Sequence, residues 1–188
     1  MKKNNTNYQD LSLFRLPEAF RGRNPFYVQL WWIIQSLLIS TSPQFMYGWR
    51  RMIYRLFGAK IGKNVLIRPS VKMTYPWNVE IGENTWIGDS VILYSLDKIF
   101  IGSNVVISQN SYICTGTHNF TKINFDIERY PIFIENQVWI ASDVFVGPGV
   151  TIDRGAVVGT RSSVFNNLPP EMVCSGTPAK PIKPRIAQ

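Results

Sequence analysis

Through the middle and end of the chain an aliphatic residue returns every six positions: Ile61 and Ile67; Ile81 and Ile87; Ile101, Ile107 and Ile113; then Ile134, Ile140, Val146, Ile152, Val158 and Val164. In nearly every case a small or β-branched residue follows four positions later, as at Val65, Thr85, Val105, Ser111, Val138, Val150, Ala156 and Ser162. Glycine often comes directly after the lead, as at Gly62, Gly82, Gly88, Gly102, Gly147 and Gly159. A period of six is neither the roughly 3.6 of a helix nor the alternation of a strand, and a sandwich of short strands gives no reason for glycine to keep a six-residue frame. The pattern predicts a parallel β-helix whose coil has three faces, each built from one hexapeptide. Equivalent residues then stack about 4.8 Å apart. The leads form an inner apolar column, the small residues fill the narrower space near the corners, and glycine is expected to relieve the backbone where the chain turns. The first coils are expected at 61–78, 81–98 and 101–118, with the dipeptides Val79-Glu80 and Ile99-Phe100 as corner bulges between them. Ordinary crossover geometry favours right-handed connections.

The frame breaks after Ile113. An aliphatic is due at 119, but the chain gives Asn119 and regains the frame only at Ile134. Residues 119–133 therefore read as a loop leaving the coil, and such excursions are where function concentrates. His118, the only histidine, is the last residue before it. An imidazole at the root of a mobile flap suits proton abstraction near neutral pH. Cys114 stands four residues upstream, about 13 Å of extended chain away, too far to be activated as a nucleophile by that histidine. It reads as a packing residue.

Composition refines this into three parts: an extension with an amphipathic helical cap at 1–60, the β-helix at 61–175, and a C-terminal tail at 176–188. Residues 1–60 carry nine Lys/Arg against two Asp/Glu, whereas 61–188 carry eleven against ten. Nearly all of the net charge of +8 thus belongs to the part outside the repeat. The apolar stretch Phe26–Ile39 spans 14 residues, short of the ~20 a spanning helix needs. A second helical pattern, Trp49–Phe57, interleaves arginines with aromatics. These helices are expected either to cap the open end of the β-helix, as repeat folds require, or to cap it and also rest on an anionic membrane surface. No positive stripe continues along the repeat, which argues against nucleic acid. Two cysteines and one histidine indicate no disulfide framework and cannot supply a four-ligand zinc site from one chain. The polar opening Met1–Asp10 carries no secretory pattern, so a cytoplasmic protein, peripheral at most on the inner face of the membrane, is expected.

Several segments carry a resemblance to the hexapeptide acyltransferases: the repeat itself, Thr115-Gly-Thr-His-Asn119 before a loop, Trp139-Ile140, Val146-Gly-Pro-Gly-Val150 and Gly176-Thr-Pro-Ala-Lys180. Phe20-Arg-Gly-Arg23, Leu30-Trp-Trp32, Gly48-Trp-Arg-Arg51, Arg55–Gly62, Arg68-Pro-Ser-Val71, Thr74-Tyr-Pro-Trp77 and Val106-Ile-Ser-Gln109 make the chain most similar to the colanic acid biosynthesis acetyltransferases among them. The resemblance implies a mainly β fold, a left-handed parallel β-helix of hexapeptide repeats with an N-terminal helical cap and an excursion loop. It also implies homotrimers with intersubunit active sites, and acetyl-CoA as acyl donor without a metal. The reaction implied is O-acetylation of a sugar or lipid-linked sugar in exopolysaccharide or capsule synthesis, with His118 as general base in direct transfer. Trp139, Ala141, Ser142, Gly159 and Thr160 would line the pantetheine groove, with Arg161, Lys180 and Lys183 near the CoA phosphates. Asp89, Asn119 and Asp126 would meet the acceptor. N-acetylation of an amino sugar or small amine, and a non-catalytic scaffold, are the competing functions. A γ-type carbonic anhydrase needs two histidine ligands from one chain and is excluded by the single histidine. Two positions depart from the pattern: where the maltose and galactoside acetyltransferases carry an acceptor-orienting asparagine, this chain has Gly88 beside Asp89, and the Thr-Lys that closes the last coil is Phe165-Asn166.

Overall fold

A computed structural model of the chain describes residues 7–186; the start of the Asn-rich opening (residues 1–6, including Lys2 and Lys3) and the last two residues of the tail lie outside the described residues. The hexapeptides wind into a three-faced parallel β-helix. Face one stacks Lys60–Ile61, Val79–Ile81, Ile99–Ile101, Ile132–Ile134 and Thr151–Ile152. Face two stacks Leu66–Ile67, Trp86–Ile87, Val106–Ile107, Trp139–Ile140, Val157–Val158 and Met172–Gly176. Face three stacks Lys72–Met73, Ile92–Tyr94, Tyr112–Cys114, Phe145–Val146 and Ser163–Val164. The coils pair in register, lead upon lead. On face two the column runs Ile67, Ile87, Ile107, Ile140, Val158, Cys174. Leads and fifth-position residues alike are buried in one continuous core. Met73 and Leu93 hold lead positions on face three, and Cys174 extends the frame into a sixth, partial coil. The six-residue period is thus more complete than its Ile and Val spelling suggested.

Three expectations about this architecture change. The dipeptides Val79-Glu80 and Ile99-Phe100 are not corner bulges; they lengthen the face-one strands, where Val79, Ile99 and Ile132 pair in register and are buried. The additional residues are taken up at the preceding corner, in a 3-10 turn at Pro76–Asn78 and a bend near Leu96. That corner is wide because Tyr75 and Leu96 pack there against Phe20 and Val28 of the N-terminal segment. The glycines after the leads do not turn the chain through positive φ either. Non-glycine residues such as Asn64, Asn84 and Asn104 take the left-handed conformation instead, with φ of 54°, 56° and 57°. Gly82 is needed for close stacking, since a Cβ there would lie 2.6 Å from the backbone of Gly102 and Ser103. Finally, the segment expected as a C-terminal tail contributes a strand: Ala179–Pro184 pairs antiparallel with Met172–Gly176 and closes the end of face two.

At the other end sit two helices, α1 (Pro25–Ile34, extended by a π turn at Gln35–Ile39) and α2 (Tyr47–Leu56). Asn24 caps α1 by accepting from the Tyr27 amide at 2.8 Å, and Pro25 supplies the preformed first turn. Trp31, Ile39, Ile53 and Tyr54 extend the core beneath the first coil. An uncovered first coil would present unpaired backbone groups, a template for unwanted strand pairing. Cap side chains occupy them. Arg55 donates to the Ile61 carbonyl at 2.6 Å, Arg51 to Val65 at 2.8 Å and Arg50 to Ile67 at 2.6 Å. Tyr54 donates to Val71 and Trp31 to Met73, while the Met73 amide donates to Gln35 Oε1. The arginines among the aromatics are therefore the chemistry of a cap on a sheet edge.

Candidate active site

The third coil leaves the prism at the corner between faces three and one. Thr115 is buried there, its hydroxyl donating to the Tyr94 carbonyl at 2.8 Å and accepting from the Asp97 amide at 2.9 Å. The excursion expected at 119–133 is an antiparallel hairpin: Gly116–His118 pairs with Ile127–Arg129, and the chain is back on face one at Ile132–Ile134. Its root is anchored. Arg129 donates to the carbonyls of Phe20 and Leu96 and lies over the Phe20 ring.

His118 ends the outgoing strand, half-buried. Its Nδ1 lies 2.9 Å from the Phe125 carbonyl oxygen. A carbonyl can only accept, so Nδ1 carries the proton and the neutral ring keeps its lone pair on Nε2. The Phe125 ring stacks on the imidazole, centroids 4.4 Å apart and 10° from parallel. On another side Phe14 approaches with a centroid distance of 6.3 Å. Leu11, Phe14, His118 and Phe125 line an open, mostly apolar niche of about 320 Å³. The N-terminal segment is held there by the Asp10 amide, which donates to the Ile123 carbonyl at 2.6 Å. Leu11, Phe14 and the Phe125 carbonyl carry no sequence signal: two lie over a hundred positions from His118 in the chain, and the third acts through backbone.

Cys114 points its thiol at the Gly116 carbonyl, 3.3 Å away, and burial pushes its pKa up. Both features oppose thiolate formation. Asn119 and Asp126 shape the hairpin turn. The Asn119 amide donates to Glu128 at 2.8 Å while its Oδ1 accepts from Thr121, and Asp126 accepts from Lys122 at 3.1 Å and Asn124 at 2.7 Å.

The remaining sequence candidates gather on face two and on its corner with face three. Asp89, Gln109, Ser142 and Thr160 stack coil upon coil at that corner, linked through the amides of Asn110, Asp143 and Arg161. Ala141 and Gly159 precede two of them, so the corner carries small side chains and an exposed Arg161. Asp89 accepts from Arg68 Nε at 2.8 Å and Ser70 Oγ at 2.9 Å, beside a groove of about 310 Å³ lined by Tyr47, Trp86 and Gln109. Trp139 is 47% exposed on face two, its Nε1 donating to Ser108 Oγ at 3.1 Å. It borders a second groove that contains Arg185, a cation the sequence reading passed over. Lys180 and Lys183 are exposed on the closing strand. One chain does not bring these residues to His118. They lie on face two and at its corner with face three, and that corner is a face-width of six residues, or about 20 Å, from the one where the hairpin leaves.

No family model matches the chain. The protein of Escherichia coli (strain K12) named Putative colanic acid biosynthesis acetyltransferase WcaF is 55% identical over 178 residues, covering 95% of this chain and 98% of that one. The chain belongs to the hexapeptide-repeat acetyltransferases. Among solved structures of this family, a maltose O-acetyltransferase from Clostridium difficile 630 superposes with a TM-score of 0.78 at 28% identity, covering 87% of this chain and 90% of that one. A galactoside acetyltransferase in complex with coenzyme A gives 0.80 at 26% identity, covering 91% and 84%. This acetyltransferase thus carries its only histidine on a braced hairpin. Among its described residues, no group of three His, Cys, Asp or Glu is placed to hold a metal ion.

Proposed function

We propose that this acetyltransferase transfers the acetyl group of acetyl-CoA to a sugar hydroxyl in exopolysaccharide or capsule synthesis, with His118 as general base. The observation that carries the reading is the hydrogen bond from Nδ1 to the Phe125 carbonyl, which leaves Nε2 free to take a proton. Nε2 accepts the hydroxyl proton as the sugar oxygen attacks the thioester carbon, and the Phe125 carbonyl supports the imidazolium that forms. The C–S bond breaks, and Nε2 returns the proton to the departing sulfur, giving the acetyl ester and free thiol. Backbone N–H groups near the active coil would hold the developing oxyanion. No acyl-enzyme is required, which agrees with the hydrogen-bonded thiol and raised pKa of Cys114.

The donor fits the corner column. Small residues at Ala141, Ser142 and Gly159 leave room for a narrow arm, and Arg161, Lys180 and Lys183 offer cations to its phosphates. Because that column and His118 occupy different corners, the reaction needs neighbouring chains, and a homotrimer would place the hairpin of one beside the column of the next. Asp89 would orient the acceptor hydroxyls within that junction. The colanic acid relative supports the assignment to surface polysaccharide.

Thiol release from acetyl-CoA, measured against a panel of sugars and lipid-linked oligosaccharides, tests the function. Release that depends on a sugar lacking free amines supports O-acetylation. Release only with amino acceptors, abolished when the amine is blocked, would replace it with N-acetylation. No release with any acceptor and no CoA binding would leave a scaffold.

A further inference from the structure

The cap has a second side. Phe26, Leu30, Ile33 and Leu37 follow one another at spacings of four, three and four, the spacing of a single helical stripe. All four are exposed, while Val28, Trp31 and Ile39 on the opposite side are fully buried. In α2 the outward stripe is Trp49, Met52 and Leu56, opposite buried Arg50, Ile53 and Tyr54. Trp49 Nε1 donates to the Leu38 carbonyl at 2.9 Å, tying the two helices together so that their stripes adjoin. Phe45, between them, is 80% exposed. Core formation and edge capping use only the inner stripe and explain none of these outward residues. A contiguous apolar patch of this kind on a protein surface marks an interaction site.

The charge around the patch says what it meets. Between Glu18 and Glu80 the chain has nine Lys/Arg and no Asp or Glu. Arg50 is buried, and Lys60 and Arg68 pair with Glu80 and Asp89. Arg23, Arg55, Lys63 and Lys72 are exposed, just before α1, on α2 and on the first coil beneath it. A second copy docking by this end would bring like charges together. Among the described residues no helix is long and apolar enough to cross a membrane. An apolar stripe with a tryptophan, in a stretch of chain rich in cations and free of carboxylates from residue 19 to residue 79, suits shallow insertion among anionic headgroups.

We propose that the outer face of the cap seats the enzyme on an anionic lipid surface, with the prism standing away from it. Docking needs no acetyl donor, so it stands or falls apart from the reaction. Co-flotation of the full-length chain with vesicles of phosphatidylglycerol and phosphatidylethanolamine tests it. The chain is expected to float with these vesicles, at least ~10-fold more weakly with phosphatidylcholine alone or at high salt. The triple variant F26S/I33S/L37S changes only exposed positions and is expected to lose ~10-fold or more in vesicle binding, with its thermal unfolding and acetyl-CoA affinity unchanged. Three results would overturn the proposal: absence of binding by the folded wild type, equal binding to phosphatidylcholine, or a variant that binds like wild type. Concentration-dependent self-association that the triple variant abolishes, without vesicle binding, would assign the face to a second copy instead.

Discussion

At the scale of single residues, the carbonyl of Phe125 does more for His118 than any side chain. It fixes the tautomer, leaves the lone pair on Nε2 and would support the ring once it takes a proton. Cys114, four positions upstream, has its thiol turned to a carbonyl and its pKa raised by burial. Cys114→Ala is therefore expected to keep turnover within about 3-fold of wild type, because the proposed direct transfer bypasses it; steady-state thiol release checks this. His118 was legible in the sequence because it is unique and stands where a strict frame breaks. Leu11 and Phe14 were not, since only tertiary packing brings the N-terminal segment to the hairpin. Tyr54 offers a pH test of the cap. Burial pushes its phenol above the ordinary value of 10, with the Arg50 charge opposing. The folded state holds that proton more tightly than the unfolded chain, so the contribution is complete below about pH 10 and is lost as pH rises beyond it. Tyr54→Phe gives up the bond to Val71, about 1 kcal/mol, but does not titrate. The wild type is expected to be the more stable near neutrality, with the gap shrinking above about pH 10, as urea midpoints across that range would register.

At the scale of elements, the hexapeptide fixes both a face and its neighbour in the next coil. That is why the leads alone were enough to read the strands. The corners were harder, because turning is achieved by left-handed Asn64, Asn84 and Asn104 while glycine serves coil-to-coil approach. Gly82→Ala would press a methyl against the backbone of Gly102 and Ser103, and is expected to cost about 1–3 kcal/mol by overpacking, read from denaturant unfolding. The cap follows a different logic. Arg50 is fully buried and donates to the carbonyls of Ile67, Pro43 and Gln44 and to Ser42 Oγ. Arg50→Met keeps much of the volume but strands those acceptors, and a loss on the order of 3 kcal/mol is expected, seen as a lower urea midpoint. Charge counting had located these cations outside the repeat, but it could not show that they serve the carbonyls of the first coil, which make an open sheet edge only once the prism forms.

At the scale of the whole molecule, one end of the prism is capped, face two ends at the other on the strand Ala179–Pro184, and the hairpin projects from the middle. His118 and the Asp89–Thr160 column stand at separate corners, so a proposed site that uses both requires assembly. Sedimentation at micromolar concentration is expected to give a trimer, and a monomer would dismantle the shared site. The most direct measurement of the central claim is the rate of sugar-dependent thiol release from acetyl-CoA by wild type and His118→Ala, with CoA affinity measured beside it. A general base contributes about 10²–10⁴-fold, so the variant is expected to lose at least ~100-fold in turnover while binding CoA as wild type does. Turnover unchanged by the substitution would contradict the account and remove His118 from the mechanism.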